Sequence, residues 1–311
     1  MITLDIPERN LNMYLPECLA ECDSEQYINM CNLIAKYNAH KIDLEAFKIK
    51  AVYKLLNLKP TKNITEAHEE EKNANIYALS QLIESYFETI EEDGAKEKRI
   101  KLNFIHNPIP TIAPLWCTFY GPSDAFKNVT EGEYSDALNF FMEFNKTKEP
   151  ELLYFLMAVF YRKKRAFHWL KKRLPNYNGD VRERYNEHKI EDRVKEIKLL
   201  PDGYAYGFYL LFASFHEYLT NSEITLNGEQ IRIGMLFDEP TEKQISSGMP
   251  GIGLKSIEYQ ISESGVFGSN TEVRETNLWE ILIRLYDITK THQDEKARAK
   301  AAEAKSKSKT K

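Results

Sequence analysis

A chain of 311 residues with 42% apolar content has enough material to bury a core as one large domain or as two of ordinary size. Its four cysteines, Cys18, Cys22, Cys31 and Cys117, are too few and too clustered for the disulfide framework of a small secreted domain, and they read as reduced thiols. The formal charge of −5 is small but uneven: Arg162, Lys163, Lys164, Arg165, Lys171, Lys172 and Arg173 crowd one span, and Glu66, Glu69, Glu70 and Glu71 another.

The opening MITLDIPERN has acids where an export signal needs basic residues, so the cytoplasm is the expected location. Within it, TLDIPE reads as a short extended segment. Ser24 is placed to cap a helix through about Tyr37, with Tyr27, Met30, Cys31 and Ile34 on one face. Asp43 starts the next, with Phe47, Val52, Leu55 and Leu56 inward and Pro60 beyond its end. From Thr61 to Ala74 polar and acidic residues dominate, which marks a linker or an exposed helix start.

Ile76, Leu79, Leu82, Ile83, Tyr86 and Phe87 recur at helical spacing, and Gly94 is placed to end that helix. KLNFIH reads as a strand, and prolines at 108, 110, 114 and 122 exclude a continuous helix there. Thr130 with Glu133 forms a capping-box pair ahead of a helix over Tyr134 to Phe144. Glu149 and Pro150 suit the first turn of another, whose residues from Leu152 to Tyr161 are almost all apolar and therefore covered on most sides.

After a loop at Asn176 to Asp180, Glu187 to Leu199 reads as a polar helix and Gly203 to Leu219 as an apolar one. The latter is shorter than the roughly 20 apolar residues that span a bilayer, and it carries His216 and Glu217. In EITLNGEQIRI, Asn227-Gly228 suits a tight turn between alternating strands, a hairpin near 223–233. Ser256 to Ser264 is helical, Gly265 and Gly268 interrupt, and Leu278, Ile281, Leu282, Leu285 and Ile288 form the stripe of a last helix. Beyond His292 the stripe ends while Ala, Lys and Glu continue, so the tail to Lys311 is expected to be a solvated helix that frays into a basic, disordered end. The fold class is thus mainly α, a multi-helix body with one hairpin. It divides into an N-terminal helical segment (1–60), a polar link (61–74), a main domain (75–292) and a tail (293–311).

Sequence-level chemistry is weak. GMPGIGLKS places Leu254 between Gly253 and the lysine that a phosphate loop needs directly after its glycine. Cys18, Cys22 and Cys31, with His40 as nearest fourth ligand, lack the paired spacing of zinc sites, and FHEYL lacks a second histidine. No serine stands in a nucleophile elbow. No cofactor and no catalysis are expected. The basic segment 160–173, with Phe160, Tyr161, Phe167 and Trp169, has the composition of a single-stranded nucleic-acid site. It also suits a protein-contacting surface, or a solvated face on which basic stems cover apolar neighbours, and both of these readings rank ahead of nucleic acid.

Several strings carry a wider resemblance: LDIPE and SEQYINMCNLI, FYGPSDAFKNVTEGEYSDALNFF, ELLYFLMAVFYR, VRERYNEHKIEDRVKEIKLLPDGYAYGFYLLF and SGVFGSNTEVRETNLWEILIRLYD. With these the chain resembles proteins of the structural-gene clusters of phages and prophages of Bacteroidetes, and in character it is similar to tail assembly chaperones. The resemblance implies a helical, non-catalytic protein that shields a tape measure or tail tube protein until assembly. Many such chaperones are shorter, so a virion component of connector or baseplate type is the alternative, and nucleic-acid binding through 160–173 a second. For a chaperone, Tyr161, Arg162, Trp169, Arg184, Tyr185 and Arg193 are the expected contact residues, because aromatics and arginine carry much interface energy.

Overall fold

The structure, a computed structural model, describes residues 1–6, 11–59, 66–92, 95–175, 177, 179–226, 228–237 and 254–309. Strands β1 (Ile2–Ile6) and β2 (Leu11–Leu15) pair antiparallel, Ile2 opposite Leu15. Helices α1 (Ser24–Asn38), α2 (Leu44–Leu55) and α3 (Glu66–Leu82) follow, then the antiparallel pair β3 (Phe87–Glu92) and β4 (Ala95–Ile100). Two-residue strands β5 (Thr111–Ile112) and β6 (Phe119–Tyr120) precede α4 (Glu131–Thr147) and α5 (Glu151–Phe160), and β7 (Arg162–Lys163) completes a sheet of order β5-β6-β7. Next come α6 (His168–Lys171), α7 (Ile190–Ile197), α8 (Asp202–Asn221) and the hairpin β8 (Glu223–Leu226) with β9 (Glu229–Arg232). Helices α9 (Leu254–Glu263), α10 (Asn270–Glu275) and α11 (Leu278–Lys309) end the chain. The fold is mainly α, with small antiparallel sheets. It divides into two compact units: Met1–Phe126 with Asn139–Phe215, and Lys127–Leu138 with His216–Lys311. Helix α3, which begins within the polar stretch from Thr61 to Ala74, belongs to the first unit.

Aromatic packing holds the first unit together. The Phe126 ring stacks on Phe215 at 4.3 Å between centroids and meets Phe160 edge-on at 5.3 Å, with Phe208 and Phe212 close by. Such pairs add to the large apolar area that each ring removes from water. Close approach of α1 and α8 relies on glycine: a Cβ on Gly203 would sit 2.6 Å from the Ile28 carbonyl oxygen. One turn on, at Gly207, the buried Tyr27 hydroxyl donates to the backbone carbonyl at 2.8 Å.

In the second unit Ile261, Val273 and Ile281 are buried against one another, with Ile257, Phe267 and Leu285 packed around them. The start of α4 is tied to the α10–α11 junction, where Glu131 N–H donates to Thr276 O and Leu278 N–H to Val129 O, each at 2.9 Å. Thr130 caps α4, accepting from Glu133 N–H at 3.4 Å.

Some expectations change. Asp23, and not Ser24, caps α1 through a reciprocal capping box with Gln26, because its carboxylate reaches the third backbone N–H of the helix. Ser24 Oγ donates instead to Pro108 O at 2.6 Å. The helix ahead of Gly94 ends at Leu82 and a 3-10 turn at Ile83–Tyr86, and Phe87 begins a strand. Phe87 packs with Tyr37 and Phe47, at 6.1 and 5.6 Å between ring centroids. Beyond it an acidic strand faces a basic one, Glu88 opposite Arg99 and Glu91 opposite Lys96. Opposite charges across a pair favour strands over a helix that would stack Glu88, Glu91 and Glu92. Strand β4 thus ends at Ile100, and KLNFIH is not a strand. Gly94 lies outside the described residues. As expected, the last helix runs on past His292, where its apolar stripe ends, and it reaches Lys309, because alanine, lysine and glutamate are strong helix formers.

Replacing Phe126 with alanine is expected to cost about 3–5 kcal/mol, the usual cost of emptying a ring-sized site, whereas Asp23→Ala costs about 1 kcal/mol as a lost cap. Urea unfolding of the two variants beside the parent measures both.

Candidate interaction surface

The basic segment begins inside the first unit. Tyr161 is fully buried and donates its hydroxyl to Ile109 O at 2.6 Å. Arg162 and Arg182 are 1% and 0% exposed, and Asp180 is the carboxylate between them. Arg182 donates from Nε to Asp180 Oδ1 at 2.9 Å, from one terminal nitrogen to Oδ2 at 3.1 Å, and from the other to Phe160 O at 3.1 Å. Arg162 approaches Asp180 Oδ2 at 3.6 Å and lies over the Tyr185 ring at 5.7 Å. The buried Arg193 donates to the carbonyls of Ala158 and Asn186 at 2.9 and 3.1 Å. Guanidinium suits this use: it keeps its charge, and its planar fork of donors satisfies several carbonyls together.

Beyond Lys163 the chain turns outward. A bridge of Lys164 with Arg182, and an Arg165 N–H bond to Val181 O at 2.9 Å, hold the base of the turn. Phe167 then takes a left-handed backbone (φ 54°) and is 72% exposed, and Trp169 is 66% exposed. Leu170 and Leu174 are exposed beside them, as are Lys164, Lys171, Lys172 and Arg173. Strand β6 pairs antiparallel with both neighbours, Phe119 lying opposite Ile112 and Lys163. The 113–118 connection therefore leaves the sheet at the same end as the chain after Lys163. That connection carries Trp116, 97% exposed, and Leu115, again left-handed (φ 67°). Positive φ in bulky residues is strained, and such strain concentrates at functional sites.

Among the described residues, none of Lys164, Arg165, Lys171, Lys172 and Arg173 has a carboxylate in ion-pair range. His168 registers the excess charge: partial burial first, then the charges of Lys164, Lys172 and Arg165, lower its pKa.

Of the six residues expected at a contact surface, Trp169 and Arg184 are exposed and Tyr185 is half-buried, while Tyr161, Arg162 and Arg193 are interior. Their aromatic and arginine composition suggested a surface, but Asp180 and backbone carbonyls hold these three inside. Sequence reasoning placed Phe167 in the basic aromatic segment but missed Trp116, Leu115, Leu170 and Leu174. Pro114 before Leu115-Trp116 was the available signal of a turn that projects its side chains.

Other candidates take structural positions. Cys31 is buried within α1, and burial raises its thiol pKa. Burial likewise pushes Cys22 up to about 12 despite its contact with the Tyr86 hydroxyl at 3.5 Å. His216 Nδ1 lies 3.0 Å from the Tyr134 hydroxyl, and burial lowers its pKa. Residues 248–253 of the glycine-rich string lie outside the described residues, and Leu254 opens α9. Among the described residues no group of His, Cys, Asp and Glu is placed to hold a metal ion, and no helix is long and apolar enough to cross a membrane.

The second unit buries its own charge cluster. Arg274 donates to Glu258 Oε1 at 3.1 Å and to Asp136 Oδ2 at 2.8 Å. Glu131, 6% exposed, keeps Oε2 buried without a hydrogen-bond partner. Burial, then the charge of Glu258, raises the Glu131 carboxyl to about 8 against the opposing pull of Arg274, and Asp136 adds a smaller upward push.

Comparison with models of known protein families, with curated proteins and with solved structures finds no match for the chain.

Two stability measurements test these networks. Asp180→Ala leaves two buried guanidinium groups without their carboxylate and is expected to cost about 3–5 kcal/mol in chemical unfolding. Glu131 gives a pH dependence of definite sign. Between its ordinary value near 4.5 and about 8, the folded chain holds a proton that the unfolded chain has lost. Its contribution therefore falls as pH rises through that window, by on the order of 3–5 kcal/mol. In Glu131→Gln, which keeps the shape and cannot ionise, unfolding measured from pH 5 to pH 8 is expected to lose that component.

Proposed function

We propose that the chain is a non-enzymatic binding protein of the tail-assembly-chaperone kind, which covers a segment of a tape measure or tail tube protein until assembly. The observation that carries this reading is the group of large apolar side chains, Trp116, Phe167, Trp169, Leu170 and Leu174, exposed on two connections that leave one end of the β5-β6-β7 sheet. Exposed apolar patches of this kind mark interaction sites, and tryptophan is prominent among residues that dominate binding energy. Three leucines, Leu115, Leu170 and Leu174, favour a protein over nucleic acid. Aliphatic groups gain from apolar contact and offer bases no stacking face. The buried arginines below them support this, since a rigid base keeps the ordering cost of binding low.

The test co-expresses the tagged chain with its neighbouring phage genes and compares the captured proteins with those of purified particles. A chaperone recovers a tape measure or tube protein and is missing from particles, whereas a chain present in particles at fixed copy number is a virion component. Trp116→Ala combined with Trp169→Ala is expected to reduce recovery at least about tenfold with the unfolding midpoint unchanged. Undiminished recovery removes this surface from the account.

A further inference from the structure

The free protein has to keep this patch soluble, and its surface holds one element of matching charge. Helix α3 opens with Glu66, Glu69, Glu70 and Glu71, all exposed, and none has an ion-pair partner among the described residues. Helical spacing sets Glu66, Glu70, Asn73 and Tyr77 along one narrow stripe, and Tyr77 is 57% exposed. The stripe thus has acids at its start and an aromatic ring about two turns on. The outward turn has the inverse composition. From Arg162 to Gly179 the sequence contains no acidic residue, and five cations that have no carboxylate in ion-pair range among the described residues share this span with exposed tryptophan, phenylalanine and leucine.

We infer that a second copy of this chain occupies the patch, the acidic stripe of α3 from each copy lying on the 164–174 turn of the other. Both elements belong to the first unit, so two copies related by a twofold axis make the contact twice and the assembly closes. Tyr77 covers apolar surface at the turn while the glutamates neutralise Lys164, Lys171, Lys172 and Arg173. Like charge within each element opposes the alternatives in which turn meets turn or α3 meets α3. Placing carboxylates beside the turn also removes part of the charge that lowers the pKa of His168. The inference rests on the reading of this patch as a protein-binding surface and names the occupant it has before the assembly partner displaces it.

The test is sedimentation of the full chain across ionic strength, with paired charge reversals. The parent is expected to be a dimer at low salt and to dissociate as salt rises, because exposed ion pairs are screened. Lys171→Glu with Lys172→Glu, and separately Glu66→Lys with Glu70→Lys, are each expected to weaken association at least about tenfold, and the fourfold variant to recover most of the loss. The imidazole signal of His168, followed by NMR, is expected to titrate at higher pH in the dimer than in either reversed variant. A parent that is monomeric at every salt concentration overturns the inference. So does a dimer that ignores both reversals, a fourfold variant that stays monomeric, or a monomeric parent whose lysines hold anionic phospholipid vesicles or single-stranded DNA. A monomeric parent that still recovers the assembly partner sinks this inference alone. A salt-sensitive dimer whose tryptophan variant loses no partner sinks the functional reading alone.

Discussion

Asp180 sets the conditions under which the first unit can place arginine in its interior. An isolated guanidinium cannot shed its charge, so burying Arg162 and Arg182 demands an anion, and Asp180 meets both while the Phe160 carbonyl takes a further donor. That arrangement fixes β7, which carries Arg162, against the segment that carries Arg182. The bridge from Lys164 to Arg182 extends the fixed region by one residue, to the point where the chain turns outward. The exposed aromatics therefore stand on a base that is hydrogen-bonded and packed.

Burial and exposure alternate over a few residues here for a physical reason. Tyr161 and Arg162 follow directly from α5, whose residues from Leu156 to Phe160 are all interior, so the chain leaves the helix deep in the core. Lys163 is the transition: its ammonium reaches Glu196 at 2.8 Å and lies 5.4 Å from the centre of the Phe119 ring. From Lys164 to Arg173 no carboxylate of the described residues is in ion-pair range. Further cations then stay in water, and the large apolar side chains that alternate with them are carried out as well. Left-handed Phe167 is the corner at which this happens.

Much of the fold was legible because its signals are local. Asp43 and Thr130 cap the helices they precede, and the Asn227-Gly228 spacing leaves Leu226 opposite Glu229. Asp93-Gly94, between an acid-rich and a lysine-rich stretch, is the same kind of signal. It was hidden because Leu82, Ile83, Tyr86 and Phe87 also satisfy a helical period, and the cross-strand charge pairs that decide the matter are not local. The site was less legible still. That Arg162 and Arg193 are interior depends on Asp180 and on the carbonyls of Ala158 and Asn186, which no reading of the basic segment by itself could supply. Trp116 joins Trp169 at one end of a sheet only through strands two residues long, below the length at which alternation can be recognised.

The two units solve mirror-image problems with different chemistry. In the first, Arg162 and Arg182 share Asp180, Arg193 approaches Glu183 at 3.8 Å, and backbone carbonyls take further donors, since guanidinium stays protonated at any ordinary pH. In the second, Glu131, Asp136 and Glu258 surround a single Arg274, and an excess of carboxylates has a different outlet because one of them can take up a proton. Glu131 is the natural holder. One of its oxygens is buried and without a hydrogen-bond partner, whereas Asp136 and Glu258 each accept from the guanidinium. Buried cations can thus be built as a permanent feature of a core, and an anion excess makes the core answer to pH.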